Sequence, residues 1–190
     1  MTAGTYRTVV DQEWCSDPAH LVRWEKSIDF VRGSKAEGVT ASSGLDIGDR
    51  TPMTGLLESL FGCRFDTTSV DLDTGRLDGT YPIVTAFEVL EHLYNPLHLL
   101  LEIRNVLAPG PESRLFVSTP AWKPAFLQSP DHFHEMTRRS LESLFDRAGF
   151  EIVRSGEFRI RRFRFCLTGV RPLLRCIFEK IRIHELAVRP

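Results

Sequence analysis

Three times in this chain a capping residue is followed at once by proline and then by a run with helical spacing: Asp17-Pro18, Thr51-Pro52 and Asn95-Pro96. Proline has its φ preset for the first helical position, and the residue before it is pushed toward extended backbone, so each pair fixes where a helix begins. The helices read "PAHLVRWEKSIDFVRG", with Gly33 following its end; "PMTGLLESLFG", with Met53, Leu56, Leu57 and Leu60 on one side and Gly62 as terminator; and "PLHLLLEIRNVLAPG", apolar at Leu97, Leu100, Leu101, Ile103, Val106 and Leu107. A further helix, "TRRSLESLFDRAG", closes at Gly149 and leads into a strand. Between the helices lie short apolar runs: "SGLDIG", "DTTSVDLD", "YPIVTAF" and "SRLFVSTP". Strands alternating with helices call for a parallel sheet covered on both faces. The expected class is α/β, doubly wound and mostly parallel.

With 190 residues, 42% hydrophobic and 26% charged, the chain suits one sizeable core rather than two. We divide that single expected domain into a helical lead-in (1–43), a core (44–153) and a basic C-terminal strand and helix (154–190). The opening "MTAGTYRTVVDQEW" lacks the pattern of a secretory signal, and no apolar run approaches the ~20 residues that span a bilayer. The expected location is cytoplasmic. Cys15, Cys63, Cys166 and Cys176 have no paired metal-ligand spacing and read as reduced thiols. The net charge of −1 conceals an asymmetry, because residues 151–190 hold ten Lys or Arg against four Glu. Such a tail points to an anionic partner, or to a solvated face.

In open parallel sheets, ligands bind outside the carboxyl ends of the strands, which is where the turn after "GLDI" falls. Here "GLDIGDRTPMTGLLESL", "YPIVTAFEVLEHLYNPLHLLLEIRNVLAPGPESRLFVSTP" and "HFHEMTRRSLESLFDRAGFEIV" resemble, in order, a class I S-adenosylmethionine-dependent methyltransferase. The resemblance is to the broad group whose first strand ends in an LD-I-G-x-G-x-G turn. It implies S-adenosylmethionine as cofactor and methyl transfer as activity. Asp46 and Gly48 match the acid and first glycine that hold the cofactor's methionine end, and Asp71 is similar to the acid that takes the ribose hydroxyls. Ala86, Phe87 and Glu88 fall where the family lines the methyl region. The chain departs from the pattern at Arg50 and Pro52, which replace the second and third glycines. At a positive φ Arg50 would be strained, while its planar fork suits the methionine carboxylate. Only nine residues, "LDTGRLDGT", separate Asp71 from Tyr81, so the third-strand region is shortened. Asp73 or Asp78 is the candidate replacement for its adenine-contacting acid.

If "FEVLEHL" is helical, Glu88, Glu91 and His92 share one face. With His134 they resemble the divalent cation site of small-RNA 2′-O-methyltransferases and ubiquinone-pathway O-methyltransferases, which would use Mg²⁺ or another divalent cation to lower the pKa of an acceptor hydroxyl. Without metal, methyl transfer needs alignment and a base, and His132 or His134 is the candidate, one turned inward and one outward. In the tail, Phe158, Ile160, Phe163 and Phe165 alternate with arginines but slip phase at Arg161-Arg162, like a bulged strand. Beyond Pro172, an apolar stripe of Leu173, Leu174, Ile177, Phe178 and Ile181 opposes Arg175, Lys180 and Arg182. It reads as a helix packed on the sheet, or as a basic surface for anionic lipid at the membrane periphery, a lipid-linked glycan or a second copy in a homodimer. No nucleic-acid-binding module accompanies the arginines. The leading expectation is methyl transfer to an oxygen of a small molecule, lipid or glycan. A catalytically silent binding or scaffold protein is the alternative, ahead of RNA methylation.

Overall fold

The computed structural model describes residues 15–36, 38–160 and 169–189. Its elements, in chain order, are α1 (Pro18–Ala36), β1 (Gly44–Asp46), α2 (Pro52–Phe61), β2 (Phe65–Thr67) and β3 (Ile83–Phe87), followed by α3 (Pro96–Val106), β4 (Arg114–Pro120) and α4 (Arg138–Ala148). The chain closes with β5 (Phe150–Arg159), α5 (Val170–Phe178) and β6 (Lys180–Val188). Single 3₁₀ turns occupy Leu90–His92 and Ala125–Leu127. The strands form one mixed sheet in the order β2-β1-β3-β4-β6-β5, in which β1 to β4 run parallel and β6 is antiparallel to both β4 and β5.

The predicted caps hold. Thr51 accepts from the Met53 amide in a capping box with Thr54, Asn95 accepts from the His98 amide, and Gly62 and Gly149 close their helices with φ of 70° and 84°. Alternation along the strands then sorts side chains to two faces. Ile83 and Phe116 join Trp24, Ile28 and Val31 of α1 and Met53, Leu57 and Phe61 of α2. Val84, Ala86, Leu115 and Val117 meet Leu99, Leu100 and Ile103 of α3 and Leu141 and Phe145 of α4. Helices on both faces make the sheet doubly wound, as expected.

Four features differ from the sequence reading. First, α1 runs through Gly33, where Arg154 packs so closely on the helix that a Cβ would collide with it. Gly33 serves contact rather than termination. Second, β2 stops at Thr67, and residues 68–80 form a loop with no strand of their own, pinned to α3 from three places. Asp73 accepts from the Asn95 amide at 2.7 Å, Glu102 accepts from the Leu77 amide at 3.0 Å, and the His98 ring lies 2.8 Å from the Gly75 carbonyl. Third, the chain ends not on a helix but on β6, which inserts between β4 and β5. Ile181, expected on the helical stripe, is a buried strand residue, while Leu173 and Ile177 of α5 are exposed. Fourth, Cys176 is disulfide-bonded rather than reduced, whereas Cys15 and Cys63 are free; Cys166 lies outside the described residues. The phase slip at Arg161-Arg162 also lies outside the described residues; the irregularity that β5 shows falls between Ile152 and Arg154.

Five basic side chains of the described part of the tail have internal partners. Arg154 pairs with Glu185, Arg175 with Glu179, Lys180 and Arg182 with Glu157, and Arg189 with Asp146. No helix among the described residues is long and apolar enough to cross a membrane.

Candidate active site

The turn after β1 keeps one glycine and rebuilds the rest. Gly48 has φ +111° and open space where a side chain would stand, while its amide donates to Thr68 Oγ1 at 2.8 Å. Arg50 is not at positive φ, so the expected strain is absent. Its guanidinium grips Glu58 of α2 from both sides, at 3.1 and 2.5 Å, and so faces away from the role of carboxylate clamp. Asp46 is buried, with Thr85 and Thr54 hydroxyls each donating to one of its oxygens at 2.7 Å. Burial raises its pKa to about 6 against the pull of those two bonds. With both oxygens engaged, Asp46 ties β1 to β3 and α2 rather than offering itself to an ammonium group.

Asp71 stands past the end of β2 in a turn that its own Oδ1 caps by accepting from the Asp73 amide at 2.9 Å, and its side chain is exposed. Asp73 is occupied by Asn95, and Asp78 is exposed. At the end of β3, Ala86 is fully buried in the core with α3 and α4, and the half-buried Phe87 packs toward the cluster under α1. Glu88 is the non-glycine residue that the fold holds at positive φ, 56°. Such backbone costs on the order of 1 to 2 kcal/mol and persists only when its surroundings fix it. Here the Glu88 amide donates to the Ser118 carbonyl at 3.0 Å, Ser118 Oγ donates to its carboxylate at 2.9 Å, and Arg23 of α1 pairs with it at 3.2 Å.

Because residues 90–92 make a 3₁₀ turn, Glu88, Glu91 and His92 do not share a helical face. Glu91 turns inward instead. It is 1% exposed, and its pKa is pushed well up, by burial first and then by the Glu88 charge. Its carbonyl accepts from the Phe133 and His134 amides, which docks the loop after β4 onto the turn. That docking brings His132, not His134, beside Glu91 and His92, and one ligand atom from each of the three lies within 4.8 Å of the others. Glu135 sits behind His132, its Oε1 2.7 Å from Nδ1 and 2.8 Å from Lys123 Nζ. Burial would raise the Glu135 pKa, yet His132 and Lys123 together hold it low. His134 points the other way, its Nε2 3.4 Å from the Tyr94 carbonyl. The two rings thus point to different partners, and both are partly buried.

Beyond this cluster opens a cavity of about 510 Å³, walled by Trp122, Phe133, Met136 and Leu144, with His134 and Glu135 on its lining. Tyr94 stacks on Phe133 at 4.1 Å beside it. Arg23, Lys123 and Trp122 escaped the sequence reading. Arg23 and Lys123 find their partners, Glu88 and Glu135, only through the fold, and Trp122 lies in a loop with no periodic signal.

A six-stranded, mostly parallel sheet in the order β2-β1-β3-β4-β6-β5, covered by helices on both faces and with a tight turn after β1, is a class I methyltransferase fold. The chain belongs to the methyltransferase domain family, whose model matches residues 20–155. It is therefore a methyltransferase that uses S-adenosylmethionine as methyl donor. No curated protein matches the sequence. Among solved structures it is similar to the N-methyltransferase NodS from Bradyrhizobium japonicum WM9 in complex with S-adenosylhomocysteine (TM-score 0.60, 15% identity, covering 96% of this chain and 94% of that one). It is also similar to the 1,6-didemethyltoxoflavin-N1-methyltransferase of Burkholderia thailandensis (0.59, 13%, 94% and 82%) and to the [4+2]-cyclase SpnF (0.59, 16%, 87% and 81%). Likeness at this level fixes the fold and leaves the acceptor open.

Proposed function

We propose that this enzyme methylates an oxygen of a small molecule seated in the cavity between the 122–136 loop and α4, with His134 as general base. The observation that carries the proposal is the placement of His134. A carbonyl can only accept, so at the Tyr94 carbonyl His134 Nε2 is the protonated nitrogen and Nδ1 keeps the lone pair. An imidazole nitrogen with a free lone pair on the lining of a cavity can take the proton of an acceptor hydroxyl. The cavity is open to solvent, and Trp122 and Phe133 on its walls suit a planar or apolar body.

S-adenosylmethionine supplies a methyl group on a positively charged sulfur. With that donor bound, the acceptor oxygen would take the methyl group as the carbon–sulfur bond breaks, and His134 Nδ1 would accept the hydroxyl proton. Gly48, with its open φ +111° turn, suits close approach of the donor, and exposed Asp71 suits its ribose. Asp46 does not suit the ammonium end, and Arg50 would first have to leave Glu58 to reach the carboxylate.

Calorimetry with S-adenosylhomocysteine on wild type and Asp71→Ala tests the donor site, followed by mass spectrometry of hydroxylated aromatic acceptors. Saturable binding weakened about tenfold or more in Asp71→Ala is expected, since the variant loses hydrogen bonds from a charged acceptor. His134→Asn should retain S-adenosylhomocysteine binding and lose ~10²-fold or more in kcat. Methylation at nitrogen alone, or an unchanged kcat in His134→Asn, would overturn the proposal.

A further inference from the structure

We infer that Glu91, His92 and His132 form a binding site for a borderline first-row divalent ion of the Mn²⁺ to Zn²⁺ range. The expected cation site comprised Glu88, Glu91, His92 and His134, and the fold selects a different set. Glu88 is taken by Arg23 and Ser118, and His134 faces Tyr94. What converges instead is one carboxylate and two imidazoles, with ligand atoms within 4.8 Å of one another.

Three independent features prepare these groups for an ion. Glu91 Oε2 is buried and has no hydrogen-bond partner, although a buried carboxylate oxygen without one costs several kcal/mol unless it meets a proton or a cation. Nor does Glu91 make a contact ion pair among the described residues, since Arg23 pairs with Glu88 and Lys123 with Glu135. Both imidazoles, finally, are set in the same tautomer. His92 Nδ1 lies 2.9 Å from the Asp131 carbonyl and His132 Nδ1 lies 2.7 Å from Glu135, so each ring donates through Nδ1 and keeps its lone pair on Nε2. An acceptor behind each histidine is the arrangement that orients metal ligands and raises their basicity.

The donor set also selects the ion. Mg²⁺ favours oxygen ligands and retains its waters, whereas two nitrogens with one carboxylate suit Mn²⁺, Fe²⁺, Co²⁺ or Zn²⁺ with coordination positions left open. Glu135 both orients His132 and lines the acceptor cavity, so an ion held here would stand beside the acceptor and stabilise its oxyanion. Only that last role rests on the O-methylation proposal; binding of the ion does not.

The test uses the full-length protein without donor or acceptor. Mn²⁺ binding is followed by electron paramagnetic resonance and competed with Zn²⁺ and Mg²⁺. One saturable Mn²⁺ per chain is expected, with nitrogen hyperfine coupling and with Mg²⁺ at least about tenfold weaker. Glu91→Gln and His132→Ala should abolish it, Glu135→Gln should weaken it ~10- to 100-fold, and His134→Ala should leave it intact. Thermal unfolding checks that each variant folds, and the nitrogen coupling is read on wild type whatever the variants do. Absence of saturable binding, absence of nitrogen coupling, or unchanged affinity in folded Glu91→Gln would overturn the site. S-adenosylhomocysteine calorimetry with chelator present fails or succeeds independently, which separates the ion site from the donor site.

Discussion

Asp46 shows how one residue can be conspicuous in the sequence and different in role once folded. The sequence marked it as the acid at the end of the first strand; the fold buries it, and burial lifts its pKa from 3.8 to about 6 against the bonds from Thr85 and Thr54. Between those values the folded state binds the proton more tightly than the unfolded state does. Stability therefore rises as pH falls from about 6 toward 4, and the full cost of the buried charge, ~3 kcal/mol, is present above pH 6. Asp46→Asn removes the charge and keeps the shape. It should stabilise the protein by ~1 to 3 kcal/mol at pH 8, and the gain should vanish below pH 4. Urea titrations at the two pH values measure this, and a variant no more stable than wild type at pH 8 contradicts it. Neither threonine could be matched to Asp46 from the sequence, because the contact with Thr85 depends on β1 and β3 being neighbours in register.

The element that most distinguishes this chain is a loop. Where the family places a helix and a further strand, residues 68–80 cross directly to β3, and the shortening was legible from nine residues between Asp71 and Tyr81. What fastens so short a link was not legible, since Asp73, Gly75 and Leu77 find partners on α3, 22 to 25 residues away. Each such bond contributes about 1 kcal/mol, more where a carboxylate accepts. Glu102→Ala should thus speed hydrogen exchange at the Leu77 amide about tenfold while moving the midpoint of thermal unfolding by less than ~3 °C. Unchanged exchange at Leu77 would mean that the loop is held by something other than α3. At α5 the helix was foreseen, but Leu173 and Ile177 of its apolar stripe are exposed rather than packed on the sheet. An apolar stripe says that a face is available, and only the arrangement of neighbours says whether anything covers it.

Across the whole molecule, Glu185 on β6 joins parts distant in the chain. At 2% exposure it accepts from Arg114 of β4 at 3.1 Å and Arg154 of β5 at 3.2 Å, and Ser34 of α1 also bonds to it. Removing one partner of a buried ionic group strands the others, so Glu185→Ala should cost ~3 to 5 kcal/mol. For a chain of this size that corresponds to a fall of ~6 to 15 °C in Tm, seen as one cooperative transition if the chain is a single domain. A loss under 1 kcal/mol would show that water satisfies the arginines. By itself the sequence determined what is local: proline-started helices, glycine stops, alternating strands, a parallel doubly wound class and the order of family motifs. These follow from backbone preference and periodicity within a few residues. Tertiary structure alone decided that β6 inserts between β4 and β5, that Arg50 belongs to Glu58, and that His132 rather than His134 meets Glu91 and His92. Those outcomes depend on which distant segments the sheet makes adjacent, and a single chain read in order carries no record of that distance.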